Sequence, residues 1–407
     1  MEQKPSQLAS NSAGRSAWFI VFLLWVTHVF YFFISNSFGV LGPVIKQELV
    51  VNNTEFGLYF SAISVGSMLV LIPSGIKCDQ WGPRRVLFLG LLVMGSSVVL
   101  FTLCRSYLLS CGALFFLGLG MGCIPVSAAK TILDWFPVRG RATAMGVKQT
   151  GVNVGGILAP ALLPLLIQRY PWRSVIEWVG AGVLMFAFLF FLLYRNSSSS
   201  LSSTRKIRSK EIVCFLKDTD FLLVGIAGFF LMAAQFSFTS YIVLYSNQAL
   251  GHPIGFAGLL LALSFGAGAF ARVGWSMTSD YWFGDRRRVL IIIGGLSALM
   301  TFLLGLTSSS SQSWVFYVLA LGFGISGMGW NAVWLTLVGE VSSRKAEGLG
   351  IGVAFFIGTL GIMLGPPFFG LLVDLSTHYF WSWSFLSLWM LIVSGVMFWA
   401  RKRMPRP

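Results

Sequence analysis

Four ionisable side chains stand inside long apolar stretches of this chain: His28 in WVTHVFYFF, Lys130 in SAAKTIL, Lys148 in MGVKQTGV and Arg272 in AFARVGW. A guanidinium presents paired N–H donors that match a carboxylate, and an ammonium presents a compact positive charge. An imidazole gains or loses a proton near neutral pH. Three permanent cations and one switchable base form a set suited to holding an anion and passing a proton. Ionisable groups in hydrocarbon are costly, so they face protein or water and are functional candidates by default.

Each candidate has a plainer explanation. Lys130 is four residues before Asp134, about 6 Å of helix rise, so an i,i+4 ion pair or snorkelling accounts for it as well as substrate contact does. Lys148 lies roughly 10 Å of rise beyond Arg141, too deep to snorkel comfortably. The glycines around it include the G-x-x-x-G pair Gly151 and Gly155, which permits close helix packing. Arg272, about 12 Å of rise before Asp280, serves a carboxylate or merely a backbone carbonyl. His28 is a proton relay or a hydrogen-bonded packing residue. Glu177 is a second titratable candidate, although a salt bridge to Arg173 or Arg169 explains it too. Tyr31, Gln235, Tyr241, Tyr245, Trp330, Asn331 and Trp334 would shape a pocket for an organic body, or else only pack.

These residues need elements to carry them. With 407 residues, 56% hydrophobic and 11% charged, and a mean hydropathy of +0.78, the chain has more apolar surface than one soluble core hides. About twelve apolar runs reach the roughly 20 residues that cross a bilayer. They are Ala17 to Ile45, Phe56 to Ile76, Val86 to Leu103, Tyr107 to Trp135, Ala142 to Ile167 and Ser174 to Tyr194, then Phe221 to Ser246, Gly255 to Ser279, Val289 to Thr307, Trp314 to Gly339, Gly348 to Val373 and Trp383 to Ala400. The first run is full length and ends without a small-residue cleavage site, so it is expected to stay.

A formal charge of +15 would suit nucleic acid, but the cations cluster in alternate loops. With both termini cytoplasmic, about 22 of them fall on the cytoplasmic side and about 4 outside, which is the positive-inside pattern. The five cysteines show no CxxC pair and no clustered histidines, so they are expected to be neither disulfides nor metal ligands. No phosphate-binding loop or nucleophile constellation is present. No enzyme activity and no cofactor is expected.

The organisation is a tail over residues 1–16, six spans over 17–194, a basic serine-rich linker over 195–219, six more spans over 220–400 and a basic tail over 401–407. The halves echo one another. GIKCDQWGPRR (Gly75 to Arg85) after the second span pairs with SMTSDYWFGDRRR (Ser276 to Arg288) after the eighth, with Asp79 and Asp280 about 201 residues apart. RGRATAMGV (Arg139 to Val147) pairs with KAEGLGIGV (Lys345 to Val353) at a spacing of about 206.

The first of these stretches resembles the loop signature of the major facilitator superfamily, G-x-x-x-D-x-x-G-x-R-[RK], with Gly75, Asp79, Gly82, Arg84 and Arg85 at its positions. The second copy departs from it, with Ser276 in place of a glycine and one extra residue between Asp280 and Gly284. AAKTILDWFPVRGRATAMGVKQTGVNVGG is similar to the anion-transporting branches, such as cyanate permeases and organic-anion symporters. Arg272, followed by Trp275 and Asp280, resembles the pattern of oxalate:formate antiporters, in which that arginine contacts the carboxylate.

The resemblance implies an all-α membrane protein of twelve helices in two pseudo-symmetric six-helix bundles. Spans one, four, seven and ten would line a cavity, and spans two, five, eight and eleven would flank it. His28, Lys130, Lys148 and Arg272 all fall on those spans, and no carboxylate lies deep in them. Such a cavity has a positive potential that draws anions. Lys148 from one half and Arg272 from the other are expected to close around a shared anion. Asp79 is expected to face the start of span eleven, and Arg85, with Asp134, to join a charge cluster; Gly75, Gly82, Arg84 and Asp280 complete this latch.

The expected function is secondary active transport of a small organic or inorganic anion across the inner membrane by alternating access, as proton-coupled uptake. The partners are then that anion, protons and the lipid bilayer, with no nucleic acid, and a monomer is expected. The alternative is proton-driven efflux of amphipathic compounds or a siderophore. Efflux antiporters of this superfamily carry G-P-x-x-G-G in span five, where this chain reads GGILAPALLP.

Overall fold

A computed structural model describes residues 5–136, 140–196, 215–342 and 347–403. Arg139, most of the basic linker, Cys214 and the Arg344–Lys345 pair lie outside the described residues. Among the described residues, twelve helical segments are long and apolar enough to cross a membrane, from Ser16–Val40 to Tyr379–Arg403. In chain order the helices are α1 (Pro5–Val40), α2 (Gly42–Leu49), α3 (Asn53–Trp81), α4 (Pro83–Leu103), α5 (Tyr107–Trp135), α6 (Arg141–Leu166) and α7 (Trp172–Leu193). After the linker come α8 (Thr219–Leu244), α9 (Ile254–Met277), α10 (Arg286–Gly305), α11 (Ser313–Gly327), α12 (Asn331–Val341), α13 (Glu347–Ser376) and α14 (Tyr379–Arg403).

Three boundaries differ from the hydropathy reading, each for a local reason. The first run breaks at Leu41, because Pro43 sits in the first turn of α2 and its ring cannot continue the preceding helix. The second extends to Trp81, so Gly75 and Asp79 stand on the last turns of α3 rather than in a loop. Hydropathy marks where the apolar residues end, while the helix runs on until Gly82 takes φ +79°, a conformation that favours glycine. The tenth run is two helices, α11 and α12, separated at Met328–Trp330.

The irregular second copy of the signature also has a structural counterpart. Thr278–Phe283 is π-helical, and a π turn accommodates one residue more than an α turn. This stretch holds Asp280, ahead of the extra residue found in the sequence. Asp285 then caps α10 by accepting from Arg287 N at 3.1 Å, and Arg401 of α14 donates to the same carboxylate at 2.9 Å.

The described chain forms two compact units. The first holds residues up to 35, then 65–156 and 173–196; the second holds 36–64, 157–172 and the C-terminal half. The division runs through α1, α3 and α6. Residues 36–40 of α1, 53–64 of α3 and 157–166 of α6 group with the C-terminal helices; these segments are called the far ends below.

Candidate functional site

In the first unit, α6 lies hard against α1. A Cβ on Gly151 would stand 2.6 Å from the Trp25 carbonyl and 3.2 Å from the His28 side chain, so only glycine lets the backbones approach this closely. The Trp25 indole donates to Thr150 Oγ1 at 2.9 Å across the same seam. This packing brings Lys148, one turn before Gly151, into electrostatic contact with His28.

The two residues are satisfied differently. His28 Nδ1 is 2.8 Å from the Leu24 carbonyl. A carbonyl only accepts, so Nδ1 carries the proton and Nε2 retains a lone pair when the ring is neutral. Lys148 is 6% exposed, and among the described residues no hydrogen bond or ion pair reaches its ammonium. A buried cation without a counter-charge is costly, and a bound anion would remove that cost.

Lys130 is compensated. Its ammonium donates to the Asp79 carboxylate as an ion pair, and Asp134 contributes a further favourable charge. The pair therefore joins α5 to α3, where the sequence suggested an i,i+4 pair within α5. Arg84 anchors the start of α4, donating through Nε to the Phe191 carbonyl at 2.8 Å and through its backbone N–H to Asn196 Oδ1 at 3.1 Å. A Cβ on Gly82 would meet Asn196 Nδ2 at 2.5 Å. Arg85 is exposed and makes no ion pair among the described residues; with Gln80, Trp81, Arg84, Phe191 and Asn196 it lines a cavity of about 300 Å³. Glu177 is exposed and unpaired among the described residues, while Arg173 donates to the Thr102 carbonyl. A Cβ on Gly75 would stand 3.4 Å from Val126, an ordinary contact, and Tyr31 packs on Phe32 with ring centroids 4.9 Å apart.

In the second unit, Arg272 of α9 is half-buried, and Nε donates to the Met328 carbonyl at 3.3 Å. That contact lies at the break between α11 and α12. A guanidinium has five N–H donors, and the rest find no partner among the described residues. Trp330 is 1% exposed and its indole donates to Gln235 Oε1 at 2.9 Å, so it orients that amide rather than presenting its own face. Asn331 begins α12, half-buried, with no hydrogen bond to its side chain among the described residues. Asp280 accepts from Arg286 Nη1 at 2.6 Å, and Arg286 Nε reaches Glu340 at 2.6 Å.

Tyr241 is fully buried and its hydroxyl donates to the Asn53 carbonyl at 2.6 Å. This ties it to a cluster that sequence reasoning missed. Asp374, near the end of α13, accepts from Asn53 N at 3.1 Å, Asn53 Nδ2 at 2.7 Å, Thr54 N at 2.7 Å and Thr54 Oγ1 at 2.6 Å. Lys46 Nζ donates to Asn53 Oδ1 at 2.5 Å. Burial pushes the Lys46 amine down, an effect that the Asp374 charge opposes. Asp374 and Asn53 are 321 residues apart, and no spacing rule links them.

Twelve membrane-length helices and an echoed signature at Asp79 and Asp280 describe a membrane carrier. The family model of the Major Facilitator Superfamily matches residues 24–334 and 254–407, and the chain belongs to that superfamily of transporters. It is 23% identical over 363 residues to the probable sulfoacetate transporter SauU of Cupriavidus necator, covering 84% of each chain. It is 20% identical over 375 residues to the hexuronate transporter of Bacillus subtilis, covering 87% of each. Among solved structures, a bacterial homologue of the lysosomal transporter Spinster aligns with a TM-score of 0.80 at 16% identity over 95% of this chain and 97% of that one. The nucleoside transporter NupG aligns with a TM-score of 0.82 at 12% identity over 94% and 100%. These structures establish the twelve-helix fold.

Proposed function

We propose that this chain carries a small organic anion across the inner membrane by alternating access, as proton-coupled uptake, with both termini cytoplasmic. Lys148 carries the reading: the residue is 6% exposed and its ammonium has no hydrogen bond or ion pair among the described residues, so an anion would supply the counter-charge. Arg272, with its spare N–H donors, is the second anion-contacting group. Asn331 and the Gln235 amide oriented by Trp330 are candidates for the polar body of the substrate. Relatives named for sulfoacetate, hexuronate and cis,cis-muconate support a carboxylate or sulfonate headgroup. His28 is the proposed proton carrier: its ring bonds the Leu24 carbonyl through Nδ1, which leaves Nε2 free to take a proton, and it is in electrostatic contact with Lys148.

The test is a thermal-shift screen of the purified protein against sulfoacetate, hexuronates, muconate, nitrate, cyanate and cationic drugs. Stabilisation by one or more anions is expected; stabilisation by cations alone would refute the reading. Proton coupling predicts that the stabilising anion, added to energised cells, alkalinises the medium. Uptake indifferent to a pH gradient would remove His28 from this role.

A further inference from the structure

Within the second unit, α3 and α13 meet along a seam that repeats every turn. Proceeding inward from the far end of α3, Asn53 and Thr54 face Asp374, Gly57 faces Pro366 and Pro367, and the Ser61 hydroxyl donates to the Met363 carbonyl at 2.5 Å. Both helices use glycine where they touch. A Cβ on Gly57 would stand 2.5 Å from the Pro367 Cα, and one on Gly370 would collide with the Asn53 carbonyl. The seam is close-packed along its length and charged at its tip.

The tip is charged in a directed way. Asp374 receives four donors, two of them backbone N–H groups of the first turn of α3 that no intrahelical carbonyl satisfies. A carboxylate there also meets the positive end of the α3 dipole. Lys46 approaches the same group through Asn53, and Tyr241 and Tyr379 direct their hydroxyls at Asn53. Asn53, Asp374 and Tyr379 also line a cavity of about 710 Å³ that includes Gln248, Thr307 and His378, so one side of the tip is open to water.

A second seam in the same unit is built otherwise. Where α6 meets α9, a Cβ on Gly258 would stand 2.5 Å from the Pro160 carbonyl and 2.8 Å from Pro164, and the Gln168 amide lies 4.0 Å from a Cβ on Gly255. Neither Asp nor Glu caps it among the described residues. Apolar close contact alone slides and re-forms at low cost, whereas four hydrogen bonds to one carboxylate are made or broken together.

We infer that Asp374 is a latch that ties α3 to α13 at the far end by capping α3, and that parting these two helices there requires its release. The α3–α13 seam is thus the locked edge and the α6–α9 seam the sliding one. The motion is read without any substrate. Val50 and Leu375 are 87% and 74% exposed and flank the latch, so V50C and L375C carry spin labels in a chain whose five native cysteines are replaced by serine, reconstituted in nanodiscs.

With Asp374 intact, electron–electron distance measurements should give one dominant short population. Asp374→Asn leaves an amide that cannot accept from all four donors, and it should add a population longer by about one helical turn, roughly 5 Å, or more. Thr54→Val removes one donor and should give a smaller fraction of that population. Asp374→Glu should lie nearer the parent. If Asp374→Asn elutes as aggregate, Thr54→Val decides alone. Distributions unchanged by both substitutions in monodisperse protein would overturn the latch.

Discussion

Lys130 and Lys148 are two lysines on successive membrane helices of one unit, and the fold treats them oppositely. Lys130 meets Asp79 directly with Asp134 nearby, and 20% of its side chain is exposed. Lys148 is buried, is in electrostatic contact with a histidine of α1 and meets no carboxylate among the described residues. A charge compensated by its own protein can hold helices together whatever the cargo does. A charge left uncompensated is a standing preference for an anion, because only the ligand repays its desolvation. The contrast separates scaffold charge from recognition charge by partner rather than by depth in the sequence.

Removing the uncompensated charge should have the largest effect. Lys148→Ala should weaken the stabilising anion by roughly 30-fold or more, the about 2 kcal/mol or greater cost of deleting one member of a desolvated charge pair. It should leave the unliganded melting temperature unchanged or raised. Isothermal titration checks the first statement and a ligand-free melt the second; a lower melting temperature with unaltered affinity would make Lys148 scaffold, like Lys130.

Arg272→Lys tests geometry with the charge retained. Loss of the bidentate fork should weaken a carboxylate by about 10-fold and change the ranking of carboxylate against nitrate in competition binding. Equal weakening of all anions would reduce Arg272 to a point charge.

Lys130→Ala should do the converse of Lys148→Ala. The pair is partly solvated, so its loss should cost about 1 kcal/mol and lower the melting temperature by roughly 3 °C, with anion affinity within about two-fold. The swap Lys130→Asp with Asp79→Lys should recover part of that stability. A binding defect larger than the stability defect would move Lys130 to the substrate.

The smallest change is Thr150→Val, which removes the acceptor of the Trp25 indole at the seam that carries Lys148. About 1 kcal/mol of stability and a slight loss of affinity are expected, measured in the same two assays. No change in either would mean that Gly151 packing alone sets the position of Lys148.

Much of this was legible in one dimension. Membrane helices report themselves through length and apolarity, so twelve spans, the family signature and the four ionisable residues in apolar runs could be found without coordinates. Where α3 would stop was not, because polar residues extend a helix past the hydrocarbon until a backbone such as that of Gly82 forbids it. For Tyr241 and Trp330, span and position left open pocket or packing and named no hydrogen-bond partner. Their indole and hydroxyl groups prove to be engaged with Gln235 and Asn53.

What the amino-acid order determined by itself is the solvent of the chain and the sign of its buried charge, since both are sums over residues and need no partner. Only the tertiary structure decided which charges are spent. Asp79 could have met several cations and meets Lys130. Asp374 takes four donors from a segment 320 and 321 residues away. Pairing is set by three-dimensional distance, and hydrogen bonds act only within about 3 Å, a range to which position in the chain gives no access.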